Sequence, residues 1–181
     1  MELLDVIAVI WFFVPAYAAD MSPILARGLL PSLDRPIDGG RRFRGEPILG
    51  SHKTWRGLVA CAVAGSLAYA AQAAIHRGGA FGELALIDYD RYWILPGLLM
   101  GIGAGVGDAV KSFFKRRAGV RPGSTWFVFD QLDFFVGALV FVVPVYVPPP
   151  EPMPIVVPII FACEIAATAV FHAIGLKETW I

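Results

Sequence analysis

Long apolar runs separated by short charged gaps organise this chain. The runs lie at about 3–19, 58–75, 92–110, 132–147 and 153–174, and each approaches the roughly 20 residues that a helix needs to cross a hydrocarbon core. Pro148, Pro149, Pro150 and Glu151 part the last two runs, a sequence that stops one helix and turns the chain into the next. The pattern predicts an all-α, polytopic membrane protein with five transmembrane helices. It forms one integral-membrane domain over residues 1–181, with two functional loops at about 26–56 and 111–131.

Composition supports that reading. Hydrophobic residues make up 57% of the 181 positions and charged ones 17%, against about a quarter charged in soluble domains. No internal repeat suggests a pseudo-symmetric transporter.

The net charge is zero, but its distribution is not even. Arg27, Arg35, Arg41, Arg42, Arg44, Lys53 and Arg56 sit between the first two runs, and Lys111, Lys115, Arg116, Arg117 and Arg121 between the third and fourth. Only Arg77, Arg91 and Lys177 lie elsewhere. Lys and Arg are retained on the cytoplasmic face, so both loops are expected to be cytoplasmic, the N-terminus outside and the C-terminus inside a cell membrane. Glu2 and Asp5 replace a basic leader and no small-residue cleavage site follows, so the first run reads as a retained helix. Cys61 and Cys163 fall inside apolar runs and suggest packing, not a disulfide or a thiolate metal site.

The first loop ends in GSHKTWRG. Lys53, Thr54 and Arg56 bring two cations and a hydroxyl to the membrane boundary, with Gly50 and Gly57 allowing close backbone approach. That set suits phosphate oxygens, although the P-loop spacing is absent. Anchoring to lipid headgroups is the alternative.

The second loop is more specific. If the third helix continues past the membrane boundary, Asp108, Lys111, Ser112 and Lys115 form one stripe at i, i+3, i+4 and i+7. Asp108 follows Gly101, Gly103, Gly105 and Gly107, which favours a side chain facing the bundle, not lipid. A carboxylate at that depth is a functional candidate because burying it unpaired is costly. After the turn Arg121-Pro122-Gly123-Ser124, Asp130 and Asp133 share a helix face. One of them could serve as a helix cap. Both together, beside cations, point to hard oxygen ligands for magnesium near a phosphate substrate.

Ser112, Lys115-Arg116, Pro122-Gly123 and the pair Asp130 and Asp133 resemble the signature of the integral-membrane CTP-dependent phosphatidate cytidylyltransferases. The chain departs from the bacterial and eukaryotic form: no Lys-Asp pair follows Lys-Arg, no His-Gly-Gly follows Pro-Gly, and Gln131 stands where Arg is usual. These departures, the short length and GSHKTWRG are similar to the archaeal branch, the CDP-archaeol synthases. The resemblance implies Mg²⁺-dependent transfer of CMP from CTP to 2,3-di-O-geranylgeranylglyceryl phosphate, an isoprenoid ether-lipid phosphate, in the bilayer and with no nucleic-acid partner. It implies Asp108, Asp130 and Asp133 as metal ligands, catalytic together with Lys111. Lys53, Thr54, Arg56, Lys111, Ser112 and Lys115 would hold the triphosphate, with Arg116 or Arg117 on the lipid phosphate or the membrane surface.

A CDP-alcohol phosphatidyltransferase would carry D-G-x-x-A-R followed by acids four apart, which the chain lacks. A transporter or scaffold with an anion-binding cytoplasmic face would explain the apolar runs and the cations but not the three aspartates. His52, His76 and His172 take no role, and Glu164 either hydrogen-bonds across helices or faces the lipid cavity. Tyr92, Trp93 and Trp180 read as interfacial anchors.

Overall fold

Proline and side-chain caps decide where the helices begin. The computed structural model of the chain describes residues 2–120 and 126–175, which leaves the predicted turn at 121–124, Lys177 and Trp180 outside the described residues. The first apolar run is two helices, α1 (Leu3–Phe12) and α2 (Val14–Leu25), bent by 40° at their junction. Pro15 causes the break: near the start of α2 it has no N–H, and its ring crowds the carbonyl four residues back. That carbonyl, on Trp11, accepts instead from the buried Gln72 amide of α3 (Trp55–Arg77). In an apolar surrounding every freed backbone group needs such a partner.

Between α2 and α3 the chain leaves the bundle. Strands β1 (Arg42–Phe43) and β2 (Glu46–Pro47) pair antiparallel, Phe43 opposite Glu46. Arg44 and Gly45 turn between them with φ of 54° and 85°, as a two-residue hairpin requires. Thr54 then caps α3, its hydroxyl oxygen accepting from the Gly57 N–H at 3.2 Å. The remaining helices are the short α4 (Tyr89–Tyr92), α5 (Leu95–Arg117), α6 (Phe127–Val142) and α7 (Met153–Ala173).

α5 lies at the centre, packed on α6, α3 and α2. Glycines make this possible: an added Cβ on Gly103 would collide with the Gly137 carbonyl, on Gly107 with the Asp133 carbonyl, and on Gly101 with the Cys61 carbonyl. Rings fill the rest, Phe13 on Phe135 at 4.6 Å and Tyr17 on Phe134 at 4.9 Å. The Tyr17 hydroxyl donates to the Ile160 carbonyl at 2.7 Å and ties α2 to α7.

The described residues are mostly helical, with an apolar outer surface on which Val63, Leu67, Val136, Val140 and Val170 are each more than half exposed. Such a belt suits lipid, not water. By length and composition α3 and α7 are able to cross a membrane, and the bent α1–α2 pair makes a third crossing if it acts as one. α5 and α6 differ for visible reasons. α5 runs past the apolar stretch to carry Asp108, Lys111, Lys115, Arg116 and Arg117, and α6 has 16 residues, short of a full span.

Candidate functional site

Because α5 stays helical to Arg117, its polar stripe is real: Asp108, Lys111, Ser112 and Lys115 follow one another up one face. α6 starts five residues before its apolar run and so brings Asp130 and Asp133 within reach. The close approach at Gly107 and Asp133 sets the two faces together.

The result is a compact charge cluster. The Lys111 ammonium lies 3.0 Å from Asp108 Oδ1, 3.1 Å from Asp130 Oδ1 and 2.8 Å from Asp133 Oδ2. Lys53, arriving from the first loop, pairs with the other oxygen of Asp108. Lys115 bonds both oxygens of Asp130, at 3.2 and 2.9 Å. Asp130 also accepts from the Trp126 N–H just ahead of α6, so it ties the start of that helix to the cluster. Three carboxylates therefore meet three ammonium groups, a neutral set. The Asp133 side chain is only 6% exposed and that of Lys111 14%, so neither has water to replace a lost partner.

Two spaces meet at this cluster. A polar cavity of about 240 Å³ is lined by residues of the 47–53 segment together with Lys111, Ser112, Lys115, Arg116 and Asp130. Nη1 of Arg116 is buried without an acceptor, a donor available to an anion there. A second space, an apolar groove of about 730 Å³, runs between α5 and α6 past Val110, Phe114, Phe129 and Val136, with Lys111 and Asp133 in its wall. Lys111 borders both spaces.

Most predicted residues converge, and two are occupied elsewhere. Arg56 pairs with Asp34 at 3.0 Å and does not line the polar cavity. Thr54 uses its oxygen to cap α3, though it borders a smaller space beside Lys53 and Asp108. His52 is exposed on the polar cavity wall. Glu164 is buried and accepts from the Thr168 hydroxyl one turn later in α7 at 3.2 Å.

Sequence reasoning missed Asp38. Its carboxylate accepts from the N–H groups of Gly40 at 2.8 Å, Leu49 at 2.8 Å and Gly50 at 3.3 Å. Burial opposes its ionisation, but these backbone donors outweigh it and hold its pKa below the usual carboxylate value. The signal was present as Asp38-Gly39-Gly40, an Asp followed by two glycines that turn with positive φ.

Among the described residues no three His, Cys, Asp or Glu side chains stand as a ready metal cage. The aspartates are instead drawn around an ammonium. Their chemistry still fits a hard divalent cation, since the donors are anionic oxygens gathered about one positive centre. Lys111 would have to yield that place.

The family model described as CarS-like: CDP-archaeol synthase matches residues 1–181. A CDP-archaeol synthase of Halobacterium salinarum is 36% identical over 186 residues, 97% of each chain, and one of Methanococcus aeolicus 33% identical over 171 residues, 93% of each. One of Thermococcus onnurineus is 38% identical over 148 residues, covering 80% of this chain and 79% of its own. A solved structure of an intramembrane enzyme for archaeal membrane lipid biosynthesis superposes with a TM-score of 0.71 at 30% identity, over 88% of this chain and 91% of the other.

Proposed function

The chain belongs to the CDP-archaeol synthase family and transfers CMP from CTP in the synthesis of archaeal ether lipids; we propose that it does so where α5, α6 and the first loop meet. One observation carries this reading: the charge cluster sits between a cavity of phosphate-binding character and an apolar groove, and Lys111 faces both. A triphosphate and a lipid phosphate can thus approach Lys111 from two separate spaces.

The triphosphate is taken to occupy the polar cavity, against Lys53, Lys111, Ser112, Lys115 and Arg116. The isoprenoid chains of 2,3-di-O-geranylgeranylglyceryl phosphate lie in the groove among Val110, Phe114, Phe129 and Val136. A phosphate oxygen of the lipid is already ionised at neutral pH and attacks the α-phosphorus in line. A new O–P bond forms, the bond to the β-phosphate oxygen breaks, and pyrophosphate leaves with the electron pair. No general base is required. The lysines orient the two phosphates and offset the charge that builds up on the leaving group. Asp108, Asp130 and Asp133 would hold Mg²⁺, which when bound would supply Lewis-acid stabilisation of the charge on the reacting phosphates. Thr54 and Arg56 support the loop, given their bonds to Gly57 and Asp34.

We read the chain as one domain crossing the membrane five times, counting α1–α2 as one bent pass and α5 and α6 as passes whose ends stand in the cytoplasm. The first loop and the end of α5 then share the cytoplasmic side, in keeping with the Lys53–Asp108 pair that joins them, and with their basic residues. The N-terminus is outside and the C-terminus inside.

The test is pyrophosphate release by purified protein with each of the four nucleoside triphosphates and Mg²⁺, with and without the geranylgeranyl ether-lipid phosphate. Release with CTP only, and only with lipid, is expected. Equal release with all four, or release independent of lipid, overturns the assignment of the two spaces.

A further inference from the structure

Arg117, the last residue of α5, lines neither the polar cavity nor the apolar groove. Its Nη1 donates to the carbonyls of Pro47 at 2.7 Å and Ile48 at 3.2 Å. The guanidinium carbon lies 4.1 Å over the Phe113 ring and 5.2 Å from the Phe43 ring of the hairpin. The two carbonyls and the stacking on Phe113 and Phe43 hold it in place, and Nε and Nη2 are buried without an acceptor. Only a flat, delocalised cation can stack and bond in its own plane together.

What Arg117 grips is specific. The Ile48 carbonyl and the Leu49 N–H belong to one peptide unit, and Asp38 accepts from that N–H at 2.8 Å. A single peptide plane is therefore held at both ends, by a cation from α5 and by a carboxylate of the first loop. The segment that follows supplies Leu49, Gly50, Ser51, His52 and Lys53 to the wall of the polar cavity. The Ile48 N–H also donates to the Arg41 carbonyl at 3.0 Å and the Ile37 N–H to the Lys53 carbonyl at 2.8 Å, but these bonds stay within the first loop, and Arg117 is what ties the Ile48–Leu49 peptide to α5.

We propose that Arg117 is a positioning residue: with Asp38 it fixes the Ile48–Leu49 peptide, and so shapes the nucleotide side of the site without touching either substrate. It sets affinity for CTP, not the rate of CMP transfer and not affinity for the lipid. This rests on the assignment of the polar cavity to the triphosphate.

The experiment compares wild type with R117K and F43A, in membranes and after purification. Phe43 lies beside Arg117, and under Arg44, without lining the cavity, so F43A weakens the stacking on Arg117 without removing a cavity-lining side chain. In R117K the KM for CTP should rise about tenfold, the loss expected for one charge-assisted hydrogen bond, with kcat and the lipid KM nearly unchanged. F43A should move in the same direction by less. Both variants should be nicked faster by trypsin at Arg41, Arg42 and Arg44, a readout that needs no substrate. An R117K protein nicked at the wild-type rate overturns the proposal. So does a rise in the lipid KM in place of that for CTP, which would mean direct contact with the lipid phosphate. A CTP effect in R117K without any in F43A would mean direct contact with the nucleotide and overturns it as well. If the wild type does not use CTP, the cavity assignment fails by itself, while the nicking comparison still decides whether Arg117 holds the loop.

Discussion

Lys111→Met removes the positive centre of the cluster while leaving a side chain of similar length. In wild type three carboxylates face Lys53, Lys111 and Lys115. Without Lys111 the set carries one uncompensated negative charge, and it falls on Asp133, whose ammonium partner within ion-pair distance among the described residues is Lys111 alone. Removing one partner of a buried pair costs about 3–5 kcal/mol. For a chain of this size each kcal/mol shifts the unfolding midpoint by roughly 2–4 °C, so the variant in EDTA should melt about 6–20 °C below wild type. Because the carboxylates fit a hard cation, Mg²⁺ should raise the midpoint of K111M by more than that of wild type, where the ammonium competes for the same oxygens. Activity should still fall by roughly 10²–10³, since a phosphate-orienting charge is gone. Thermal unfolding in detergent on a C163S background, followed by the reaction of a fluorogenic thiol probe with Cys61 as burial is lost, measures the first two effects. An EDTA midpoint within about 2 °C of wild type would refute the energetic account. Equal Mg²⁺ shifts in the two proteins would refute the shared place of metal and ammonium.

Three further outcomes are expected. G107A drives a Cβ into the Asp133 carbonyl, with the Gly137 Cα 3.2 Å away, and should push α6 outward and cost roughly 1–3 kcal/mol and tenfold or more in activity. G105A, two residues away, meets the movable tip of Leu58 at 2.9 Å and should remain near wild type in the same assays. The lowered pKa of Asp38 means its contribution to stability is complete above the unfolded carboxylate value and is lost as pH falls through the lower folded value. Amide protection of Leu49 and Gly50, corrected for intrinsic exchange, should therefore drop below about pH 4, and in D38N it should be low at every pH. On a cysteine-free background, cysteines placed at Arg42 and Arg116 should react with a membrane-impermeant reagent from the cytoplasmic side only, and one placed at Gly82 from the outside only; labelling of Arg42 and Gly82 from the same side would sink the five-pass topology.

The sequence by itself determined the class of molecule and most of the residues that meet in the charge cluster. Apolar runs with few charges leave a chain no stable place but a bilayer, and helices satisfy their own backbone there. The α5 stripe was legible because spacing on a helix is geometry: Asp108, Lys111, Ser112 and Lys115 share a face whatever surrounds them, provided the helix continues, and it does to Arg117. The same holds for Asp130 and Asp133 on α6. Only the tertiary structure decided what these side chains meet. Periodicity is a property of one element, whereas the Lys111 cluster joins two helices and a loop, in a register set by the contacts at Gly103, Gly107 and Gly137. Composition marked Arg56 and Arg117 as cations near phosphate and had no means of showing that Asp34 and the Pro47 and Ile48 carbonyls engage them first. The kink at Pro15 follows a local rule, but the donor that makes it tolerable, Gln72, comes from another helix. Local chemistry fixes which groups need partners, and long-range packing fixes which partners they find.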